Sequence, residues 1–371
     1  TKIYEDQGRL AAVEDALQRA LKINETALGA NHPEVAINLN NLAHLYERLG
    51  RYTEAEGLYR RVIAVWEALN PRHPELATAL QNLGTVFADE ERLDEAEALY
   101  KRALGIREEV FGASHFLVAT ELNNLAQLYE VAGRFGDVET FARRALAIVE
   151  KARGPDHPDT AKVLRKLGVA YDGQKRYREA EAQFSRALDI YTRAFGPDHR
   201  FLATVLINQG HLYEHQHRFE QADAAYRRAL AINRKTRGES HPDVARVLND
   251  LAVLSATRTD IAKALAYSRA ATAAVLAHAG TDATGPQRAS DTGGLIERRA
   301  DFFANHVTNL AAAARASLEP PSALGREAFE IAQWVSQSSA AAAVQQMSAR
   351  FASGSSPLVA LARENQDLTA A

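Results

Sequence analysis

Apolar residues recur along most of the chain at spacings of three and four residues, which places their side chains on one face of an α-helix. Leu39, Ala43 and Tyr46 form one such stripe, and a polar break at Gly50 separates it from a second stripe that contains Tyr59. Neither helix can bury its apolar face alone, but stacked neighbouring pairs bury it continuously. The pattern therefore predicts an all-α chain built from helix pairs.

A histidine marks the start of each helix pair. The six histidines are 41 or 42 residues apart and are His32, His73, His115, His157, His199 and His241. Glycine or asparagine stands three residues before each of them, where it suits the left-handed residue that ends a helix. Proline follows four of them directly, since a first-turn proline loses no hydrogen bond that the helix needs. Each histidine thus predicts the end of one helix, a loop and the start of the next helix.

The repeats divide the chain into four regions. Six helix pairs cover residues 29–280. Residues 1–28 match the end of an earlier pair whose first helix is mostly missing, as expected for a chain trimmed at its N-terminus. Glycine, threonine and aspartate interrupt the pattern over residues 281–294, which predicts a linker. Helical periodicity returns over residues 295–371, which predicts a helical connector or a cap for the last pair.

Two strings within the first repeat carry a family resemblance. Residues 39–46 read Leu-Asn-Asn-Leu-Ala-His-Leu-Tyr, and residues 50–56 read Gly-Arg-Tyr-Thr-Glu-Ala-Glu. They resemble the tetratricopeptide repeat, and more narrowly the 42-residue variety of kinesin light chains and many bacterial regulators. The resemblance implies a right-handed superhelix, an α-solenoid, followed by a helical C-terminal extension. It also implies that the first helices line a concave groove that holds a protein or peptide.

One polar position recurs on the first helices, opposite the apolar stripe. It lies nine residues after each histidine and is occupied by Asn41, Asn82, Asn124, Lys166, Asn208 and Asp250, called the ladder below. Other side chains on the same face are His44, Thr120, Gln127, Lys162, Thr204 and His211. An asparagine amide donates and accepts hydrogen bonds, so it can pair with the backbone of an extended peptide. The sequence therefore predicts a peptide-binding groove; the alternative is that these amides brace neighbouring helices.

Two columns of charge run along the second helices. The basic column is Arg61, Arg102, Arg144, Arg186 and Arg228, and the acidic column is Glu56, Glu97, Glu139, Glu181 and Asp223. One interpretation is a site for an acidic partner. The stronger interpretation is a solvated face of ion pairs, each of which stabilises by only about 0–1 kcal/mol.

Composition and charge remove several classes of function. The chain has no cysteine, which excludes disulfides, thiolate metal sites and a cysteine nucleophile within it. A formal net charge of -3 argues against binding to nucleic acid. No apolar run approaches the roughly 18 residues of a membrane span. With no signal peptide and no span, the prediction is a cytoplasmic protein that needs no cofactor.

One motif resembles a catalytic pattern. His211, Glu214 and His215 fit H-x-x-E-H, the inverted zinc-peptidase signature. In the first repeat, however, His44 occupies the same slot and Arg48 replaces the second histidine, and the pattern places no third ligand. The loop histidines belong to repeats about 10 Å apart, too far for a shared metal ion. The prediction is therefore no metal site, no catalytic residue and no enzymatic activity in this chain.

The C-terminal region carries a second resemblance. Residues 295–371, which include the alanine-rich stretch around Trp334, resemble the helical connector between tetratricopeptide repeats and the caspase-like CHAT domain of bacterial proteins. The resemblance implies the sensing or regulatory arm of a larger protein, with a CHAT domain downstream in the same polypeptide that supplies the catalytic histidine and cysteine. The alternative function is a free-standing structural adaptor or an oligomerisation scaffold.

Overall fold

The computed structural model of the protein describes residues 10–282 and 299–333. Within these ranges the chain consists of helices and turns without a strand, which confirms the predicted all-α class. The helices are α1 (Leu10–Leu28), α2 (Pro33–Arg48), α3 (Tyr52–Leu69), α4 (Pro74–Asp89), α5 (Leu93–Phe111), α6 (Phe116–Val131), α7 (Phe135–Arg153), α8 (Pro158–Gly173), α9 (Tyr177–Phe195), α10 (Arg200–His215), α11 (Phe219–Arg237), α12 (Pro242–Thr257), α13 (Ile261–Asp282) and α14 (Ala300–Arg315). A last helical stretch covers residues 321–333.

The helices are arranged in pairs within two compact units, residues 1–197 and residues 198–371. In the first unit α1 precedes the pairs α2–α3, α4–α5, α6–α7 and α8–α9. The second unit contains the pairs α10–α11 and α12–α13, followed by α14 and residues 321–333. Within a unit, each second helix packs against its own first helix and against the first helix of the next pair. Residues 1–9 of the predicted partial repeat, most of the predicted linker (residues 283–294) and residues 295–298 and 334–371 of the predicted connector lie outside the described residues.

The repeat histidines are the N-caps of the first helices. All six have extended backbone angles, with φ between -79° and -68° and ψ between 135° and 146°. In each, Nδ1 accepts a hydrogen bond from the backbone N–H two residues later, at 3.1–3.4 Å. This bond satisfies one of the N–H groups that a helix start leaves without a partner. The prediction of a helix start at each histidine is therefore confirmed.

The residues that end the preceding helices agree with the prediction at five of six positions. Gly29, Gly112, Gly154, Gly196 and Gly238 have φ between 84° and 95°, a region that side chains with a Cβ atom rarely adopt. Asn70 differs, because its φ is -163° and its backbone is extended. The prediction of a left-handed asparagine was therefore wrong. In an extended conformation Asn70 Oδ1 accepts a hydrogen bond from the N–H of Arg72 at 3.0 Å, which closes the turn by a side-chain route.

The core of each pair forms where the two helices cross. A leucine seven residues after each histidine is almost fully buried; these are Leu39, Leu80, Leu122, Leu164, Leu206 and Leu248. Four residues further on, several first helices carry a glycine that an aromatic ring of the second helix covers. The pairs are Gly84 with Tyr100, Gly168 with Phe184 and Gly210 with Tyr226. The missing Cβ atom lets the ring lie against the helix backbone, which sets how closely the two helices approach.

An arginine stands just before the second helix in the first five pairs, and in the first unit it joins consecutive pairs. In the first unit these clamp arginines are Arg51, Arg92, Arg134 and Arg176. The guanidinium of Arg92 lies 3.8 Å from the ring centre of Phe87 and its Nη1 lies 2.9 Å from Glu56 of the preceding second helix. The other clamp arginines lie over Tyr46, Tyr129 and Tyr171 and pair with Glu14, Glu97 and Glu139. A cation over an aromatic face stabilises the contact further, so the clamps reinforce the junctions between repeats.

Candidate ligand-binding face

The four ladder residues of the first unit lie on the first helices α2, α4, α6 and α8. Asn41 is exposed, whereas Asn82 and Asn124 are half-buried. Lys166 is only 1% exposed, although it occupies the same position in its helix. The ladder therefore changes along the unit from a solvent-facing amide to a buried ammonium group.

Ladder side chains reach back to the preceding repeat. Asn82 Nδ2 donates to Asn40 Oδ1 at 3.0 Å. Lys166 Nζ donates to Gln127 Oε1 at 2.6 Å and lies 3.3 Å from a carboxylate oxygen of Glu130. These contacts are what the bracing interpretation requires, and they also fix the side chains in one orientation. A polar group that its neighbours already position loses less conformational entropy when a ligand binds.

Burial changes the acid–base behaviour of Lys166. Removal from water lowers the pKa of its ammonium group to about 8, and the carboxylate of Glu130 opposes that shift only in part. The same helix presents Lys162, which is exposed, and Arg165, whose Nη1 lies 3.8 Å from Glu130. Three cations within five residues make the fourth repeat the most basic part of this face, with Glu130 as the carboxylate opposite them.

The other predicted residues of the first unit lie beside the ladder. His44 and Gln127 are exposed and Thr120 is half-buried. Ile37, which the sequence analysis did not select, is 45% exposed and lies one helical turn before Asn41. Its position five residues after the histidine is the position of Thr120 in the third repeat and of Lys162 in the fourth. The face thus has an apolar end at the first repeat and a basic end at the fourth.

In the second unit the ladder consists of Asn208 on α10 and Asp250 on α12. Thr204 is exposed on the same face of α10, and His211 Nε2 lies 3.8 Å from Asp250 Oδ2. Burial works against a charge on His211, but the carboxylate of Asp250 outweighs it and raises the pKa of the imidazole. The His211–Asp250 contact joins the same two positions of consecutive repeats as the Gln127–Lys166 contact in the first unit.

A buried ion pair lies under the ladder of the first unit, and the sequence analysis missed it. Arg107 Nε of α5 lies 2.7 Å from Glu121 Oε1 of α6, and both side chains are almost fully buried. Burial raises the pKa of Glu121 to about 7, although the guanidinium of Arg107 and the amide of Asn124 act to lower it. The signal was present, because Val149 and Val163 occupy these two positions one repeat later. When two opposite charges replace two apolar residues in the same repeat, the replacement predicts that the charged side chains contact each other.

The charged columns of the second helices form solvated ion pairs. Four arginines of the basic column pair with acids of the preceding second helix, namely Arg61 with Glu25, Arg102 with Glu67, Arg144 with Glu108 and Arg186 with Glu150. All these side chains are partly exposed to solvent. The partners differ from the acidic column that the sequence placed beside them. That column instead supplies Glu56, Glu97 and Glu139 to the clamp arginines.

The H-x-x-E-H residues take part in packing and in the ladder. The hydroxyl of Tyr226 donates a short hydrogen bond to Glu214, and His211 faces Asp250. Across residues 10–282 and 299–333 there is no group of three or more histidine, aspartate or glutamate side chains arranged to hold a metal ion.

Paired helices of fixed length that repeat every 42 residues and present polar residues on the first helices define a helical repeat protein of the binding class. The model of the tetratricopeptide repeat family matches residues 2–68, 34–109, 75–151, 117–193, 173–235 and 201–277. These matches together span residues 2–277 of the 371. The chain therefore belongs to the tetratricopeptide repeat family, whose fold supports protein-binding scaffolds and is typically non-catalytic.

Curated relatives match only a short part of the chain. Nephrocystin-3 of Xenopus laevis is 40% identical over 60 residues, which is 16% of this chain and 5% of that protein. Nephrocystin-3 of Mus musculus matches at the same identity and length, and the segment is 4% of that protein. The chain thus spans about one twentieth of the length of these relatives.

Solved structures agree with the fold. BtubC (BKLC) from P. vanneervenii is 25% identical and aligns with a TM-score of 0.52 over 62% of this chain and 92% of BtubC. The apo form of RapI is 14% identical and aligns with a TM-score of 0.59 over 74% of this chain and 94% of RapI. None of the described helices combines the length and the apolar character that crossing a membrane requires.

Proposed function

We propose that this chain is a protein-binding scaffold in which the first helices of the first unit hold an extended peptide segment against the ladder residues of that unit. One observation carries the proposal: the same face of successive first helices presents amide, hydroxyl and ammonium groups where the opposite face is packed with leucine and alanine. Side-chain amides supply both donors and acceptors to a peptide backbone. They hold a main chain without requiring one particular sequence of side chains.

The chemistry of the face favours a particular peptide in the first unit. Exposed Ile37 beside Asn41 offers an apolar contact at the first repeat. Lys162, Arg165 and Lys166 offer positive charge at the fourth repeat, only partly balanced by Glu130. A peptide with an apolar residue toward one end and a carboxylate toward the other therefore fits better than a basic peptide, because charge complementarity sets orientation.

Replacing Asn41, Asn82 and Asn124 together by alanine should weaken peptide binding by at least about tenfold, since each lost hydrogen bond costs about 0.5–1.5 kcal/mol. The probe is a 16-residue peptide, selected from a random displayed library on the wild-type chain and labelled with fluorescein. Its dissociation constant is measured by fluorescence anisotropy for both proteins. Far-UV circular dichroism establishes that helicity is retained.

The matched control replaces Ser185 and Thr192, which are exposed on the second helix α9, by alanine, and its affinity should equal that of the wild type. The bracing interpretation makes the opposite prediction for the ladder variant: a lower midpoint of urea unfolding with unchanged affinity. Unchanged affinity, or a library that yields no binder to the wild type, would refute the peptide-binding proposal.

The finer proposal is that the scaffold is the regulatory arm of a caspase-like CHAT protein. It rests on the resemblance of residues 295–371, of which residues 295–298 and 334–371 lie outside the described residues. Reading the native frame beyond Ala371 tests it directly: a downstream histidine and cysteine within a few hundred residues support it. The adaptor or oligomerisation alternative predicts instead a solution mass above one chain that falls to one chain when residues 295–371 are removed.

A further inference from the structure

The second helix of the sixth repeat lacks an ion pair that four of its five counterparts have. In four earlier repeats a base follows an acid by four residues on this helix, and the two pair at 2.6–2.8 Å. These pairs are Glu56 with Arg60, Glu97 with Lys101, Glu139 with Arg143 and Asp223 with Arg227. The corresponding residues of α13 are Leu265 and Arg269. The acid has become a leucine, so the arginine has lost its local partner.

Both changed positions are used by the segment that follows. Leu265 is only 3% exposed and packs against Leu310 of α14 and Leu324 of residues 321–333. The guanidinium of Arg269 donates to both carboxylate oxygens of Glu319, at 2.7 and 2.8 Å, and to both oxygens of Glu327, at 2.8 and 2.6 Å. The sequence of α13 therefore departs from the repeat at the positions that contact residues 299–333.

Helix α14 has the register of a first helix. Asn305 Nδ2 donates to Asn249 Oδ1 at 3.1 Å, which reproduces the bond from Asn82 to Asn40 between the first two repeats. With Asn305 aligned to the ladder, Phe303 falls on the position of the buried leucines such as Leu248 and is itself fully buried. Asn305 and Asn249 are 56 residues apart along the chain, whereas Asn82 and Asn40 are 42 apart. The periodicity of the sequence therefore did not reveal that α14 matches a first helix.

Buried positions of α14 include polar residues where most of the other repeats are apolar, and His306 is one of them. In the same alignment His306 occupies a position that is leucine in five of the six repeats, and it is only 2% exposed. Its Nδ1 lies 3.0 Å from Thr272 Oγ1 of α13, and its Nε2 lies 3.1 Å from Glu327 Oε1. His306, Glu327, Arg269 and Glu319 thus form one connected polar cluster, called the latch below.

We propose that residues 299–333 form a seventh, divergent repeat and that the latch makes this repeat separable from the sixth. A leucine in place of His306 would pack without a polar group, as in five of the six earlier repeats. His306 is instead a buried polar group, which is costly when its hydrogen-bond partner is lost, and the charged side chains of Arg269, Glu319 and Glu327 beside it are 28–39% exposed. A junction of this kind opens when a single group of the latch is removed or titrated, while the repeats before it stay folded. Opening would expose the apolar face around Phe302, Phe303 and Leu310.

Replacing Arg269 by methionine should open the junction, because Glu319 and Glu327 then lose their cation. Hydrogen exchange measured by mass spectrometry on the full chain should be at least about tenfold faster in α14, with α10 and α11 unchanged. The matched control is Arg227→Met, the same substitution one repeat earlier, where Arg227 is 51% exposed and pairs with Asp223 of its own helix. That control should leave exchange in α14 within about a factor of two of the wild type.

Two outcomes would overturn the latch. Exchange in α14 could stay unchanged in Arg269→Met, which would show that the apolar contacts alone hold the segment. Exchange in α10, α11 and α14 could instead rise together, which would show that residues 299–333 are an inseparable part of the second unit.

His306→Leu provides a second test, which depends on pH. The groups around the imidazole are Thr272 and Arg269 on α13 and Glu327 on residues 321–333. Burial lowers the pKa of His306 below its ordinary value, and Glu327 opposes this only in part. The open state therefore binds a proton more readily, so opening is favoured as the pH falls through the ordinary histidine range.

Exchange in α14, corrected for its intrinsic pH dependence, should accelerate between about pH 7.5 and 5.5 in the wild type and not in His306→Leu. Equal behaviour of the two proteins would contradict a role of His306 in the latch.

Discussion

Replacing Gly168 by alanine should destabilise the first unit by about 1–3 kcal/mol, although alanine is the better helix former by about 1 kcal/mol. A Cβ atom at Gly168 would lie 2.4 Å from a ring carbon of Phe184, closer than atoms can approach without a shift. Phe184 is fully buried, so its ring has no solvent-filled space into which to move. The steric cost therefore exceeds the gain in helix propensity.

The control for this prediction is another glycine-to-alanine substitution, for which the opposite change in stability is expected. Gly105 lies in α5 of the same unit and is exposed, and a Cβ atom added to it would have no neighbouring atom within 4 Å. Gly105→Ala should raise the stability of the unit by up to about 1 kcal/mol. Urea unfolding followed by circular dichroism measures both changes.

The first repeat combines Ala43 with Tyr59 at the equivalent positions, so a loss below about 0.5 kcal/mol in Gly168→Ala would mean that the fourth repeat can relax in the same way.

The helix boundaries could be predicted from the sequence because their signals are local. A capping histidine, a first-turn proline and a terminal glycine act within four residues, and their chemistry does not depend on the rest of the fold. The structure departs from that prediction at Asn70, where a side-chain hydrogen bond closes the turn and makes a left-handed backbone unnecessary. The register of α14 was not predictable in this way, since 56 residues separate Asn305 from Asn249, where 42 separate Asn82 from Asn40.

The candidate site was predictable only as a face. Helical periodicity gives the direction in which Asn41 and Lys166 point from their helix axes, and both point to the same side. It does not give the distance from each side chain to the neighbouring helix pair. That distance decides burial, and the structure leaves Asn41 exposed and Lys166 only 1% exposed. The clamp arginines show the same limit. The sequence places these arginines at the break between the two helices of a pair. Their contacts with Tyr46 or Phe87 depend on how the pairs stack, which the sequence does not give.

The largest effect on stability is expected from Arg107→Met, which leaves the carboxylate of Glu121 buried without its cation. Breaking a buried ion pair from one side costs about 3–5 kcal/mol. Glu121 is 0% exposed, so solvent cannot replace the guanidinium. The full cost should appear at about pH 8.5, where the carboxylate is ionised in the folded wild type, and it is measured as the loss in free energy of unfolding in urea.

The same substitution should cost much less at about pH 5.5, because a proton can replace the lost cation. Burial already raises the pKa of Glu121 to about 7 with Arg107 present, from an ordinary value of 4.5. The folded state therefore binds more protons than the unfolded state between these two values, and stability falls as the pH rises through that window. Without Arg107 the pKa of the carboxyl group rises further, so the decline continues to higher pH and becomes larger.

The double variant Arg107→Met with Glu121→Val separates this pair from the rest of the junction. Valine occupies the position of Glu121 in the fourth, fifth and sixth repeats, as Val163, Val205 and Val247, so the replacement fits the repeat. Removing both charges should recover most of the stability that Arg107→Met loses at about pH 8.5 and should abolish the added pH dependence. An equal loss at both pH values in Arg107→Met would instead mean that the methylene packing of Arg107 stabilises the junction and that Glu121 stays protonated throughout. The two results therefore distinguish a charge that the third repeat must neutralise from a side chain that only fills space beneath Asn124.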